Sequence, residues 1–267
     1  MGETGEKPVG TREWYDFVGQ MAALIPVMHV GGHDSTQKLL DLVRIETSSR
    51  VLDVGCGSGL TACFVAETYG ALVYGIDISE VMIDRARERA HRQGLTDWVD
   101  LQIGDVFELP FEDGWFDVVI VESVLMPLPG DKGQAMKEMV RVLKPGGRMG
   151  ANEGTLDPAV PPELEAKIAQ HPAMYGTFTP DTLRRLFEEA GLRVIELVEG
   201  KGVGAPSPTP GIGLRGLASF MVRVYPKILL KLLREPRFRQ ASRIDAQVTK
   251  EAKPYMGYAL IVGQKEG

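Results

Sequence analysis

From residue 50 onward, short apolar segments alternate with longer amphipathic ones. Short apolar runs are typical of buried parallel strands, and apolar spacings of three and four are typical of helices packed on a sheet. The predicted strands lie near residues 50–54, 72–76, 99–103, 116–121, 147–152, 192–198 and 257–264. The predicted helices among them lie near residues 59–69, 79–93, 131–143, 162–170 and 180–190. This alternation predicts an α/β fold built on a seven-stranded, mostly parallel sheet.

Two segments fall outside this alternation. Residues 12–28 and 34–43 each predict a helix before the first strand. Residues 200–254 separate the last two strands, and insertions of this length in a compact domain usually form lids or binding elements. We therefore predict three parts. They are an N-terminal helical lid (1–49), a core (50–199 and 255–267) and a helical cap insertion (200–254).

The insertion carries an amphipathic pattern in which apolar and basic residues recur at spacings of three and four on different faces. The apolar positions are Leu217, Met221, Val224, Ile228 and Leu232, and the basic ones are Arg223, Lys227, Lys231 and Arg234. Residues 214–253 hold ten Lys or Arg and three Asp or Glu, a local charge of +7 in a chain of net charge −6. The pattern favours a cap helix with a solvated basic face. It leaves open peripheral membrane contact through residues 214–243.

Composition excludes several classes of protein. The 267 residues are 44% hydrophobic and 25% charged, as in ordinary globular proteins, and no uncharged apolar run is long enough to span a membrane. The first residues lack the apolar centre of a signal peptide, so we expect a cytoplasmic protein. Two cysteines, Cys56 and Cys63, are too few for a disulfide framework or a metal cluster, and we expect no metal. The net charge of −6 disfavours nucleic acid as a partner.

The segment from Val51 to Leu60, VLDVGCGSGL, is the most informative in the chain. An apolar strand runs into three glycines, and a helix pattern follows. Glycines allow a sharp turn and let a ligand approach the backbone, while the first N–H groups of the helix face that ligand. The spacing is G-x-G-x-G, which is neither the dinucleotide fingerprint nor a Walker sequence. The segment therefore predicts a nucleotide-type binding turn of another kind.

This segment resembles the first motif of the class I S-adenosylmethionine-dependent methyltransferases, close to V-L-D-[VLI]-G-[CT]-G-[ST]-G. Further motifs of that family follow in order: YGIDIS at 74–79, VDLQIGDV at 99–106, FDVVIVES at 116–123 and LKPGGR at 143–148. The resemblance implies a Rossmann-like sheet whose last strand is antiparallel. It implies S-adenosylmethionine as cofactor and S-adenosylhomocysteine as product. Within the family, the chain is most similar to the small-molecule group that includes ubiquinone and menaquinone methyltransferases.

The resemblance also implies cofactor-binding residues. Their expected positions are the carboxyl ends of the strands and the lid, where ligands of doubly wound sheets bind. We expect Asp77 to accept hydrogen bonds from the ribose hydroxyls, Ile78 and Met82 to pack on the adenine, and Asp105 with the N–H of Val106 to bind the adenine edge. The remaining expected residues are Tyr15, Asp53, Gly55, Cys56, Gly57, Gly59 and Glu122.

Three residues are candidates for catalysis. Glu122 ends the fourth predicted strand, where it could orient a nucleophile, accept its proton or offset the sulfonium charge. It could equally bind loop N–H groups. His29 and His33 flank a Gly-Gly turn in the segment that covers the cofactor in smaller family members, although lone histidines are more often structural.

The predicted reaction is methyl transfer by in-line displacement. The cofactor supplies an activated methyl group, so alignment and exclusion of water are the protein's main tasks. The apolar and basic insertion favours a small-molecule acceptor that is amphiphilic or anionic, such as a quinone precursor or a lipid. Two alternatives stay open: a methyltransferase acting on RNA or protein, and a catalytically silent protein that binds S-adenosylmethionine.

Overall fold

A computed structural model describes residues 9–19, 30–168, 178–202, 221–222 and 225–267. The strands are β1 (Arg50–Val54), β2 (Leu72–Asp77), β3 (Val99–Ile103), β4 (Phe116–Glu122), β5 (Leu143–Leu156), β6 (Leu192–Lys201) and β7 (Met256–Lys265). The helices in the described ranges are α1 (Thr11–Gly19), α2 (Gly32–Val43), α3 (Leu60–Tyr69), α4 (Glu80–Gln93), α5 (Lys132–Val142), α6 (Pro162–Ile168), α7 (Pro180–Glu189), α8 (Tyr225–Arg234) and α9 (Pro236–Ala252).

The strands form one sheet in the order β3-β2-β1-β4-β5-β7-β6. β1 lies parallel to both β2 and β4, and β4 lies parallel to β5. β7 is antiparallel to its two neighbours, β5 and β6. This confirms the predicted α/β, Rossmann-like sheet with an antiparallel last strand. Because β1 has β2 on one side and β4 on the other, the strand order reverses there, and the carboxyl ends of β1 and β4 flank the position where such sheets bind ligands.

Both faces of the sheet are buried, and alternate residues of one strand enter different cores. Along β4, Val119 and Val121 face the core that includes α5 and α7, whereas Val118 and Ile120 face the core that includes α2, α3 and α4. All four side chains are 3% exposed or less. Period-two burial on both sides explains why the strands appear in the sequence as continuous apolar runs.

The ends of some elements differ from the predicted ones. β5 extends from Leu143 to Leu156 rather than over 147–152. Its Leu143 already pairs with Phe116, and after an irregularity the pairing resumes between Arg148 and Val118. The LKPGGR motif at 143–148 thus forms an irregularity within one strand. The predicted helix 12–28 is seen as α1 up to Gly19, and its remainder lies outside the described residues.

The insertion holds two described helices where one was predicted. α8 lies within the amphipathic pattern, and α9 begins directly after Glu235, with Pro236 in the first turn, where proline is favoured. Ile228 of α8 and Phe238 of α9 pack with Trp14 and Phe17 of α1 in a small separate core. Within the described ranges, no helix is both long and apolar enough to cross a membrane.

Candidate functional site

The turn between β1 and α3 holds Gly55, Gly57 and Gly59 in the left-handed region, with φ of +68°, +52° and +73°. Side chains are disfavoured there, and two of the positions are also crowded. A Cβ on Gly55 would lie 2.4 Å from Cγ2 of Val124, and one on Gly59 would lie 2.8 Å from Cβ of Ala86. A Cβ on Gly57 would meet no atom of the described residues within 4 Å. Gly57 therefore leaves open space beside the turn.

Asp77, at the end of β2, joins this turn to the next one. Its Oδ2 accepts a hydrogen bond from the N–H of Gly57 and its Oδ1 accepts one from the N–H of Ser79, each at 2.9 Å. Burial raises the pKa of Asp77, although the two N–H donors oppose that shift. Each carboxylate oxygen keeps a second lone pair, so Asp77 can still accept hydrogen bonds from a bound ligand.

A cavity of about 480 Å³ opens at the carboxyl edge of the sheet beside these turns. Most of its lining is apolar and comes from the strand ends and the loops after β3 and β4. The apolar residues are Val54, Ile76, Ile78, Val106, Phe107, Val124, Pro127, Leu128 and Pro129. The other lining residues are Gly10, Arg12, Glu13, Gly55, Asp77, Gly104, Asp105 and Ser123. Such a cavity, apolar with a few polar groups, is typical of small-molecule sites.

The two predicted adenine contacts after β2 differ in placement. Ile78 lines the cavity and is 40% exposed, so its side chain is accessible to a ligand. Met82 lies in the first turn of α4, is 2% exposed, and is not among the described residues that line the cavity. Its N–H donates to the capping hydroxyl of Ser79. Met82 thus occupies the position of a core residue.

After β3, Asp105 and Val106 both line the cavity. The Asp105 carboxylate accepts a hydrogen bond from the N–H of Phe107 at 3.0 Å, which holds the local turn. This is the loop role that an aspartate also fills without a ligand. Since that bond uses one lone pair of an exposed carboxylate, Asp105 retains acceptor capacity toward the cavity.

Glu122, at the end of β4, is 9% exposed and lies outside the described cavity lining. Its Oε1 accepts from the hydroxyl of Thr36 at 2.9 Å, and its Oε2 accepts from the hydroxyl of Thr61 at 2.7 Å. The amide of Asn152 on β5 donates to Oε1 at 3.3 Å. These three donors belong to α2, α3 and β5. The carboxylate therefore joins the elements behind the cavity, which favours a positioning role.

Asp53 and Cys56 lie beneath the glycine turn rather than on the cavity wall. Burial, reinforced by the nearby charges of Glu122 and Asp77, raises the pKa of Asp53 well above its ordinary value. Within the described part of the chain, its buried Oδ2 has no hydrogen-bond partner. Burial also raises the pKa of Cys56, so this residue is a neutral thiol at physiological pH.

Glu153 is a residue that sequence reasoning missed. It lies on β5, is fully buried, and faces the loop that follows β4. Its Oε1 accepts from the N–H groups of Val124 and Leu125 at 2.9 and 2.8 Å, and its Oε2 accepts from the N–H of Met126 at 3.2 Å. Burial raises the pKa of Glu153 to about 7. This carboxylate anchors a loop whose other residues line the cavity, yet nothing in the strand pattern distinguishes it.

The remaining predicted site residues belong to the N-terminal segment. Gly10, Arg12 and Glu13 line the cavity, so the start of α1 borders it. Tyr15 belongs to α1, but its side chain is outside the described part, and His29 lies outside the described residues altogether. His33 is exposed, packs edge-on against Phe64 with ring centres 4.9 Å apart, and is not in the described lining.

Glu13 connects this border of the cavity to the insertion. Its carboxylate binds Arg237 of α9 through two hydrogen bonds of 3.0 and 3.1 Å and accepts one from the N–H of Gly10 at 3.2 Å. Burial raises the pKa of Glu13, but these donors outweigh it and lower the pKa overall. Among the residues described, no group of three or more His, Cys, Asp or Glu side chains is arranged to hold a metal ion.

This chain is similar to known methyltransferases. A family model described as "Methyltransferase domain" matches residues 52–150, the span from β1 into β5. Methyltransferase GfsG of Streptomyces halstedii is 34% identical over 172 residues, 63% of this chain and 61% of that protein. The 27-O-demethylrifamycin SV methyltransferase of Amycolatopsis mediterranei is 37% identical over 131 residues, 49% of this chain and 47% of that protein. The matches thus span less than two thirds of either relative.

A solved structure, that of the [4+2]-cyclase SpnF, resembles the whole chain. The TM-score is 0.72 at 22% identity, and the match covers 97% of each chain. At this identity the likeness establishes the fold, while the family model and the relatives carry the assignment to a family. The ordered motifs, the sheet and the matches agree, and they confirm the predicted resemblance to the class I S-adenosylmethionine-dependent methyltransferases over residues 52–150.

Proposed function

We propose that this chain transfers a methyl group from S-adenosylmethionine to a small organic acceptor. The observation that carries the proposal is the cavity at the carboxyl ends of β1, β2 and β4, which combines the bare backbone of Gly55 and the carboxylate of Asp77 with apolar walls. Backbone, hydroxyl-binding carboxylate and apolar surface are the three kinds of contact that a nucleoside with an amino-acid tail needs.

The residues present fit this cofactor. The open space at Gly57 admits the amino-acid portion beside the turn, and Asp77 has acceptor capacity for the two ribose hydroxyls. Ile78 and Val106, both on the cavity wall, offer apolar surface to the adenine, and Asp105 adds an acceptor at its edge. When bound, the cofactor supplies a methyl group already activated by the sulfonium charge.

The chain's own contribution is alignment and exclusion of water. The loop after β4, fixed by Glu153, forms one wall of the cavity, and α1 forms another. Holding an acceptor atom in line with the methyl group in such an enclosure can remove about 7–11 kcal/mol from the barrier. If the methyl acceptor is a neutral amine or a thiolate, this alignment is nearly sufficient, whereas a hydroxyl acceptor also needs a group that takes its proton.

We propose an amphiphilic or anionic acceptor, such as a quinone precursor or a lipid-like molecule. Phe107, Pro127, Leu128 and Pro129 give the cavity an apolar stretch, and Arg12 of α1 adds a cation to its lining. The relative named for 27-O-demethylrifamycin SV supports a small molecule with a hydroxyl acceptor. We also propose peripheral membrane contact through residues 214–243 and a cytoplasmic location. The division of the chain into lid, core and cap is part of the same proposal.

We assign Glu122 the role of a positioning residue, because both its oxygens already accept hydrogen bonds from threonine hydroxyls. Proton acceptance by His29 or His33 stays a prediction. Its test is the pH profile of the His29→Asn and His33→Asn variants, since loss of a general base removes the limb of the profile that it controls.

The proposal is tested with methyl-labelled S-adenosylmethionine and an extract of the source organism's cells, separated into lipid, small polar and macromolecular fractions. We expect label in the lipid or small polar fraction, and no label when Asp77→Asn replaces the wild type. Label in RNA or protein would overturn the acceptor class. The extract is also prepared from cells that lack the gene, so that the acceptor is still unmethylated. If the protein binds the cofactor but labels no fraction of this extract, it is the catalytically silent cofactor-binding protein.

A further inference from the structure

The outward side of α8 is apolar. Leu229, Leu230 and Leu233 are 42%, 45% and 61% exposed, and Tyr225 is 43% exposed. Tyr225, Leu229 and Leu233 follow one another at spacings of four, so they lie in one row along the helix. Val222, in the helical residues just before α8, is 74% exposed. Neighbouring exposed leucines on one helix form a patch, which marks an interaction site more often than scattered apolar residues do.

A basic row lies beside this apolar row. Lys227, Lys231 and Arg234 recur at spacings of four and three, and α8 contains no acidic residue. Lys227 and Arg234 are exposed, whereas Lys231 also lies over the ring of Phe238, 4.1 Å from its centre. At 3.6 residues per turn, the basic row is adjacent to the leucines. A leucine face beside a cationic face is the arrangement by which a helix lies in the surface of an anionic bilayer.

The opposite side of α8 is attached to the cap. Ile228 is 8% exposed and packs in the small core with Phe17 of α1 and Phe238 of α9. Arg12 and Glu13 of α1 line the cavity, so α8 packs against a helix that borders it. A surface bound by α8 is therefore connected to the cavity border through one set of packed helices.

We propose that the outward face of α8, comprising Tyr225, Leu229, Leu230 and Leu233 with Lys227 and Arg234, docks on the surface of an anionic lipid membrane. The charge decides between occupants. A second copy of the chain, pairing symmetrically through the leucines, would bring two basic rows together. An anionic bilayer offers both the apolar depth and the opposite charge. The inference deepens the proposed membrane contact and thus rests on the proposed function, but its test requires no acceptor.

The test is flotation of the full chain with vesicles of phosphatidylcholine alone or with phosphatidylglycerol. We expect the wild type to bind the anionic vesicles. The double variant with Leu229→Ser and Leu233→Ser should partition to these vesicles at least about tenfold more weakly. The double variant with Lys227→Glu and Arg234→Glu should partition about fivefold more weakly for each cation removed. Trp98→Ser and Arg92→Glu, on exposed positions elsewhere, are the matched controls and should bind as the wild type does.

Two further measurements keep the result unambiguous. Affinity for S-adenosylhomocysteine is measured for each variant, so that loss of docking with intact cofactor binding is separated from failure of the methyltransferase site. Light scattering gives the mass of each variant in solution. No binding of the wild type to anionic vesicles would overturn the proposal, as would equal binding of the leucine variant. A dimer that the leucine substitutions convert to a monomer would assign the face to a second copy instead.

Discussion

Two walls of the cavity are built in different ways. The wall formed by the β1 and β2 turns depends on backbone geometry and buried groups, with three left-handed glycines and a carboxylate held by two N–H donors. The wall formed by α1 depends on a small core with α8 and α9 and on the exposed Glu13–Arg237 pair, which are 224 residues apart in the chain. The first wall is part of the domain core, and the second is attached to it.

This difference matches a division of tasks. In our proposal the cofactor contacts lie on the wall formed by the β1 and β2 turns, whose parts are packed into the sheet. The proposed contacts of the acceptor and of a membrane lie mostly on the loop after β4 and on the insertion helices, where exposed residues can vary at little cost in stability. The predictions below test the two walls in turn.

The largest effect is expected at Gly55. In Gly55→Ala, the left-handed backbone and a Cβ placed 2.4 Å from Val124 should together lower the free energy of unfolding by about 2–5 kcal/mol. Gly57→Ala is the matched control, because its Cβ meets no atom within 4 Å in the part of the chain that the structure describes, which leaves the backbone strain of about 1–2 kcal/mol. Chemical denaturation measures both. Equal losses at the two positions would show that Val124 does not constrain the turn.

The next effect concerns pH. The folded chain raises the pKa of Glu153 from 4.5 to about 7, so it binds this proton more tightly than the unfolded chain does. The stability that this group contributes is therefore complete below pH 4.5 and is lost as the pH rises through about 7. Relative to Glu153→Gln, the wild type should lose about 2.5 kcal/mol of unfolding free energy between about pH 5 and 8.

The measurement is the difference between the denaturation curves of the two proteins at each pH, which cancels the other titrating groups. Glu138→Gln serves as the control, since Arg141 lowers the pKa of that carboxyl and its trend with pH has the opposite sign. If the difference in unfolding free energy between the wild type and Glu153→Gln is constant over this pH range, the raised pKa assigned to Glu153 is wrong.

The smallest effect is expected at the attached wall. Glu13→Gln and Arg237→Gln each remove an exposed ion pair, so cofactor affinity should fall by no more than about threefold, and high salt should abolish the difference. Isothermal titration at low and high salt measures it. A loss comparable to that of a substitution in the glycine turn would show that the cap is as much a part of the cofactor site as the core is.

The contrast between the walls also decides what the sequence could predict. Gly55, Asp77 and Val106 could be predicted to lie together because each is at or shortly after the end of an apolar strand, and the strand order brings these ends to one edge. That inference needs only local spacing. The family and the sheet followed from the same local signals, and both are confirmed.

The missed features depend on contacts between distant segments. Glu153 is one more residue in a strand until the loop after β4 folds onto it. The insertion pattern identified Ile228 as apolar but could not separate it from the exposed Leu229 and Leu233, because that depends on where α1 and α9 lie. Spacing predicts which residues share a helix face, whereas only tertiary packing decides which face is buried.

The central claim is that the cavity beside the glycine turn holds S-adenosylmethionine, with Asp77 on its ribose. The most direct measurement is calorimetric titration of S-adenosylhomocysteine into the wild type, Asp77→Asn and Asp100→Asn, the last an exposed acid on neighbouring β3. We predict tight binding to the wild type and to Asp100→Asn, and about 10- to 100-fold weaker binding to Asp77→Asn, since hydrogen bonds to a charged acceptor are lost. If folded Asp77→Asn binds S-adenosylhomocysteine within about twofold of the wild-type affinity, Asp77 does not hold the ribose and the central claim is wrong.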